Sequence, residues 1–147
     1  MVWLRNKTVW FLVSWGFFSG CSVEPVPIQY GADYCDFCRM TIVDKRYAAE
    51  LVNTKGKPYK FDAIECMLRY AAESEQTFQL WLVNTYDKPG QLVDASKAWY
   101  LISEQLPSPM RGDINAFSTE KVRDEFHQKY GGDKKTWIDL REAYEVQ

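Results

Sequence analysis

Apolar positions along the chain change period several times, and each change marks an element. Tyr47 to Val52 (YAAELV) and Tyr59 to Phe61 (YKF) flank Asn53-Thr54-Lys55-Gly56-Lys57-Pro58, whose Gly, Pro and polar residues predict a hairpin loop between two antiparallel strands. Pro58 has no N–H to give a ladder, so it belongs at the start of the second strand or on a sheet edge. The period then lengthens. Ile64, Met67, Leu68 and Ala71 recur at helical spacing, and Asp62-Ala63-Ile64-Glu65 has the form of a capping box, which together predict a helix from about Asp62 to Glu73. Phe78 to Thr85 (FQLWLVNT) predicts a further strand, and Asp87-Lys88-Pro89-Gly90 a turn.

The second half follows a similar order. Ala98 to Ile102 (AWYLI) predicts a strand and Asn115 to Phe117 a shorter one. Ser118 is the expected N-cap of a helix from Thr119 to Tyr130, which Gly131 and Gly132 end. A last amphipathic segment, Thr136 to Tyr144, carries Trp137, Leu140 and Tyr144 on one side. Phe61-Asp62 and Phe117-Ser118 each join a strand end to a helix start, although no residue-level repeat links the halves. The expected architecture is an α+β domain of two related ββα-type halves with antiparallel strands.

The N-terminus has a different pattern. Arg5 and Lys7 precede an apolar run from Thr8 to Phe18, followed by Ser19, Gly20 and Cys21. A charged start, a short apolar stretch and small residues read as an export signal over residues 1–20, too short to span a bilayer comfortably. Small residues directly before a Cys are similar to the lipobox of bacterial lipoproteins, which makes Cys21 the expected lipidation site; the other reading is an ordinary secretory signal with Cys21 a bystander. Residues 21–30, with Pro25 and Pro27, predict a short extended tether ahead of a folded domain over 31–147. The domain is then expected to be lipid-anchored to a membrane, facing the periplasm or the cell exterior.

Composition narrows the class. With 147 residues, 16% of them aromatic, and a net charge of −2, the chain has the material for one compact core, and neither the charge of a nucleic-acid surface nor the composition of a disordered chain. Four Cys are too few for a disulfide scaffold. Their positions are more informative than their number. Cys35-Asp36-Phe37-Cys38-Arg39-Met40 sets three sulfurs within six residues, and Cys66-Met67 adds two more on the predicted first helix. Thiolate with thioether is a soft donor set that favours copper(I), whereas zinc takes thiolate and imidazole but seldom thioether.

Other readings of the cysteines compete. Cys35, Cys38, Cys66 and His127 would number enough for zinc, though their spacing matches no common zinc ribbon. A redox pair normally sits at a helix N-terminus, and a Cys35–Cys38 disulfide is permitted in an oxidising compartment. Met67 shares a helical face with Ile64 and Ala71 and reads as core filler. Cys66 reads equally as an inert buried residue or as a ligand. Met110, in the loop Ser108-Pro109-Met110-Arg111-Gly112, is a candidate soft ligand, and His127 in a charged helix reads as a solvated imidazole.

These segments resemble the NosL family, the copper-binding lipoproteins that accompany nitrous oxide reductase. The likeness rests on the lipobox-like end at Cys21, on Asp33 to Ile42 with its Cys-x-x-Cys-x-Met, on Phe61 to Met67, and on Ser108-Pro109-Met110 followed by Ala116-Phe117. Arg39 and Glu65 stand where the family more often has Gly, and Arg111 follows Met110 where Gly is usual. The resemblance implies a fold similar to that of organomercurial lyases and a protein that is not an enzyme. It implies copper(I) held by Cys35, Cys38, Met40 and Met110, with Asp62, Cys66 and Met67 as accessory candidates. The implied partner is nitrous oxide reductase or its assembly complex, which receives the copper. The alternatives are a thiol-disulfide reductant using Cys35 and Cys38, and a copper-storage or sensing lipoprotein.

Overall fold

The structure, a computed structural model, describes residues 23–145, so the expected signal segment and Cys21 lie outside the described residues. The hairpin is present as β1 (Ala49–Asn53) and β2 (Pro58–Phe61), with Pro58 opening its strand as its missing N–H requires. Helix α1 (Ile64–Glu73) follows, then β3 (Phe78–Thr85) and β4 (Lys88–Asp94). A single 3-10 turn over Ala95–Lys97 leads to β5 (Trp99–Ile102) and β6 (Ile114–Phe117), and then to α2 (Glu120–Tyr130), β7 (Asp133–Lys135) and α3 (Trp137–Glu145). Among the described residues no helix is long and apolar enough to cross a membrane.

All pairings are antiparallel, in one sheet of order β2-β1-β3-β4 and another of order β6-β5-β7. The two-half expectation holds and extends. In each half two strands form a hairpin, a helix follows, and the next strand pairs beside the first, giving β2-β1-β3 and β6-β5-β7. β4 is an addition to the first sheet. The sheets are joined where the Tyr86 N–H donates to the Ala116 carbonyl at 2.7 Å and Asp87 accepts from the Ser118 N–H at 2.9 Å.

Four expectations are corrected. The Asp87–Gly90 turn is largely strand, because β4 is an outer strand that pairs only with β3 and so tolerates Pro89 and Gly90. The capping box does not form. Ala63 is the N-cap of α1, with no side-chain cap, because the Asp62 carboxylate accepts from Cys38 and Glu65 turns to another loop. Thr119 rather than Ser118 caps α2, through an acceptor bond from the Val122 N–H, since Ser118 is engaged by Asp87. β7 adds a strand where no apolar pattern predicts one.

The core lies between α1 and the first sheet, where Leu51, Phe61, Ile64, Met67 and Val83 are all fully buried. A smaller cluster of Leu101, Leu106 and Phe117 packs under Phe126 of α2. β1 is buried along its whole length, and the segment before Tyr30 already contributes: Ile28 is buried, and the Val26 N–H donates to Glu50 Oε1 at 2.8 Å. Burial pushes the Glu50 carboxyl above its ordinary range against that one bond, and burial raises Glu65 likewise. A carboxyl with a raised folded pKa takes up protons on folding, so its contribution is full below the unfolded carboxyl range and is lost as pH rises through the folded value. Asp33 and Asp44, held low by Lys60 and Arg46 against the effect of burial, act in the opposite sense, but above about pH 5 they are ionised in both states. Above about pH 5 the wild type is therefore expected to lose melting temperature relative to Glu50→Gln as pH rises, a comparison in which the opposite contribution of the Cys35 thiol, held low in the folded protein, cancels. A variant with an unchanged slope in thermal scans would remove Glu50 from this role.

Candidate metal centre

The Cys-x-x-Cys-x-Met segment is a tight hairpin turn. Tyr34 and Thr41 form an antiparallel bridge, the Cys35 N–H donates to the Met40 carbonyl at 2.8 Å, and the Arg39 N–H returns to the Cys35 carbonyl at 3.0 Å. Arg39 has φ +67°, the left-handed region that costs a residue with a Cβ about 1–2 kcal/mol. Asp36 docks this turn onto β2: its N–H donates to the Lys60 carbonyl at 2.8 Å, and its carboxylate accepts the Lys60 N–H at 2.7 Å. The Lys60 ammonium adds an ion pair to Asp33 at 2.6 Å.

That docking sets the turn beside the junction of β2 with α1. Ile64 to Leu68 are all buried, so the first turn of α1 is enclosed on every side, and Cys66 lies within it. The result is a cluster in which the sulfurs of Cys35, Cys38 and Cys66 and a carboxylate oxygen of Asp62 all lie within 4.8 Å of one another. Cys35 and Cys66 are buried, Cys38 is half-buried, and all three are free thiols. The cluster is thus closed on the protein side and open at Cys38.

Its electrostatics divide the three thiols. The Cys35 thiol is held well below its ordinary range, first because the Cys66 thiol hydrogen-bonds to its sulfur, with the backbone N–H groups of Asp62 and Cys38 assisting against burial. Cys66 is pushed far up as the donor in that bond, and by burial. Cys38 is raised mainly by burial, then by Cys35. The arrangement thus favours the thiolate at Cys35 and the protonated thiol at Cys38 and Cys66. The Cys38 thiol also faces Asp62 Oδ1 at 3.4 Å, while Asp62 Oδ2 is buried with no hydrogen-bond partner. A buried orphan oxygen is costly unless something arrives to meet it.

The structure places the other candidates as follows. Met40 follows two residues after Cys38 and is 50% exposed. Met110 is partly buried and packs against the core cluster that includes Cys35 and Cys66. Met67 is fully buried among apolar side chains, as its helical face predicts. His127 lies in the last turn of α2, apart from the group of four, and Asp62 takes the place that a zinc reading gives it. Asp36 and Glu65 matter to this architecture, and sequence reasoning alone does not single them out for it. The signal for Glu65 is a carboxylate inside a run of apolar helix residues.

Three thiols and a carboxylate, closed inward and open outward, define a small α+β protein with a site for a soft metal ion. The chain belongs to the NosL family, whose family model matches residues 25–145. Its fold is similar to the crystal structure of the copper chaperone NosL from Shewanella denitrificans, with 20% identity and a TM-score of 0.72 over 83% of this chain and 98% of that one. No curated protein sequence matches the chain.

Both departures at Arg39 and Arg111 fall on left-handed residues, at φ +67° and +60°, where glycine carries no Cβ penalty. Glycine's extra freedom in the unfolded chain offsets about 0.5–1 kcal/mol of the relief. Arg39→Gly is thus expected to stabilise the reduced protein by about 0.5–1 kcal/mol in urea unfolding. A destabilised variant would mean that the guanidinium makes a compensating contact.

Proposed function

We propose that this protein is a copper(I) metallochaperone that works outside the cytoplasm, held to a membrane by a lipid on Cys21, and that it delivers copper for the assembly of nitrous oxide reductase. The observation that carries this reading is the cluster of Cys35, Cys38, Cys66 and Asp62, open at Cys38, with the exposed Met40 two residues further along the same turn. Thiolates with a thioether suit a monovalent soft ion. Cys35, Cys38, Met40 and Met110 are the ligands, with Cys66 and Asp62 supporting them from the buried side. Coordination replaces the thiol protons, because a thiol ligates as its thiolate.

A carrier has to hold its cargo tightly and still give it up. Donors on a solvent-facing turn let a partner's ligand enter from the open side before Cys38 or Met40 leaves, so the ion passes by exchange and is never free. The similar protein from Shewanella denitrificans is a copper chaperone, which supports the same reading here. The alternative, a thiol-disulfide reductant, needs its attacking thiolate at the surface. Cys35 is fully buried, and burial raises the half-buried Cys38 thiol, which lowers its share of thiolate. A storage role would use the same site, and the copper content of nitrous oxide reductase in a strain lacking this protein separates the two.

In competition with a chromogenic copper(I) chelator, Cys38→Ser and Met40→Ile are each expected to weaken binding, by about tenfold or more, the scale of one lost hydrogen bond to a charged group or greater. His127→Ala should leave the affinity unchanged. Equal affinities in all three variants would sink the ligand assignment.

A further inference from the structure

The loop from β5 to β6 is built more tightly than a connection requires. Ser108 Oγ accepts the Asp113 N–H at 2.8 Å, Asp113 Oδ1 accepts the Ser108 N–H at 3.2 Å, and the Arg111 N–H closes onto the Ser108 carbonyl at 3.1 Å. Arg111 and Asp113 are both left-handed, at φ +60° and +55°. These bonds fix the shape of the loop that carries Met110. They do not fix where the loop sits.

Glu65 does that. It lies on α1 one residue before Cys66, it is fully buried, and its Oε1 accepts from both the Ser108 hydroxyl and the Gly112 N–H, the latter at 3.1 Å. Gly112 is glycine for a steric reason, since a Cβ there would stand 2.8 Å from Glu65 Cγ. Stability alone does not account for this carboxylate. Its Oε2 is buried with no partner, and an apolar side chain in such a place often serves a core as well or better. A buried polar group kept at a cost is the expected device where one arrangement must be selected over others.

We propose that Glu65 is a positioning residue for the metal: it clamps the Met110 loop to α1 beside Cys66, so that the thioether is held in place before the ion arrives. This deepens the copper(I) reading and rests on it. A loop ordered in advance spares the ordering entropy that a mobile methionine would lose on binding, and the clamp therefore acts on affinity through Met110 alone. Cutting it in a protein without the thioether changes nothing at the metal.

The test is a double-mutant cycle on the full chain, reduced, titrated with copper(I) against a chromogenic chelator. Ser108→Ala, Glu65→Ala and Glu65→Gln are each made with Met110 present and in the Met110→Ile background. With Met110 present, Ser108→Ala and Glu65→Ala are expected to lower affinity about tenfold, and Glu65→Gln, which keeps an oxygen facing both donors, to recover most of it. In the Met110→Ile background none of the three should lower affinity further. X-ray absorption should show one sulfur fewer in Met110→Ile and a longer or more disordered sulfur shell in Ser108→Ala. Ser108→Ala leaves α1 untouched and so decides the matter where Glu65→Ala does not fold. Equal losses in both backgrounds, or no loss for Ser108→Ala with Met110 present, overturn the proposal. If Cys38→Ser abolishes binding while the Met110 and Glu65 variants bind normally, the copper reading stands and this inference falls. A wild-type chain that takes up no copper removes both.

Discussion

Two hydrogen bonds between Asp36 and Lys60 hold the site together across 24 residues of sequence. Asp36 behaves there as an extra strand partner of β2: it supplies its N–H from the backbone and its acceptor from the side chain. Because Lys60 is one residue from Phe61 and two from Asp62, this pairing brings Cys35 and Cys38 to the start of α1. Cys66, in the buried first turn of α1, then meets them because its face of the helix is the one turned to the Cys segment. Without the pairing the Cys turn would be a surface loop with two thiols and no buried partner.

The duplicated topology makes the asymmetry of function clear. Both halves run strand, strand, helix, strand, and both have a polar residue at the strand-to-helix junction. In the first half that residue is Asp62, whose carboxylate faces three thiols. In the second it is Ser118, which is bonded to Asp87 and ties the two sheets together. One junction became a place for chemistry and the other a joint. The same backbone solution serves both because a buried strand end followed by a helix always leaves polar backbone and side-chain groups to be satisfied.

Much of this is legible in the sequence, and what is not has physical reasons. The strands and helices with apolar faces can be found because burial writes a period into the chain. β4 and β7 escape notice because they are outer strands: Lys88-Pro89-Gly90 and Asp133-Lys134-Lys135 carry the prolines and charges that protect an edge, and these read as turn or loop. The capping box at Asp62 is a sound local expectation overridden by a residue 24 positions away. The Cys-x-x-Cys turn is visible as a motif, but the place of Cys66 depends on which face of α1 meets the turn, and no local pattern specifies that. Glu65 looks like half of a cap and is a tie between two parts of the chain.

The bond from Val26 to Glu50 has a mechanical consequence. It ties the chain to β1 at Val26, so that a lipid on Cys21, as proposed, would stand at most five residue steps from a point held to the domain. At about 3.3–3.6 Å per step that leash is about 17 Å long when fully drawn out, less than the width of the domain it holds. Such a protein does not sweep the space above a bilayer in search of a client. Anchored in that way it would ride close to the surface with a restricted set of orientations, and whatever takes its cargo would have to present a receiving site at the height of the lipid headgroups.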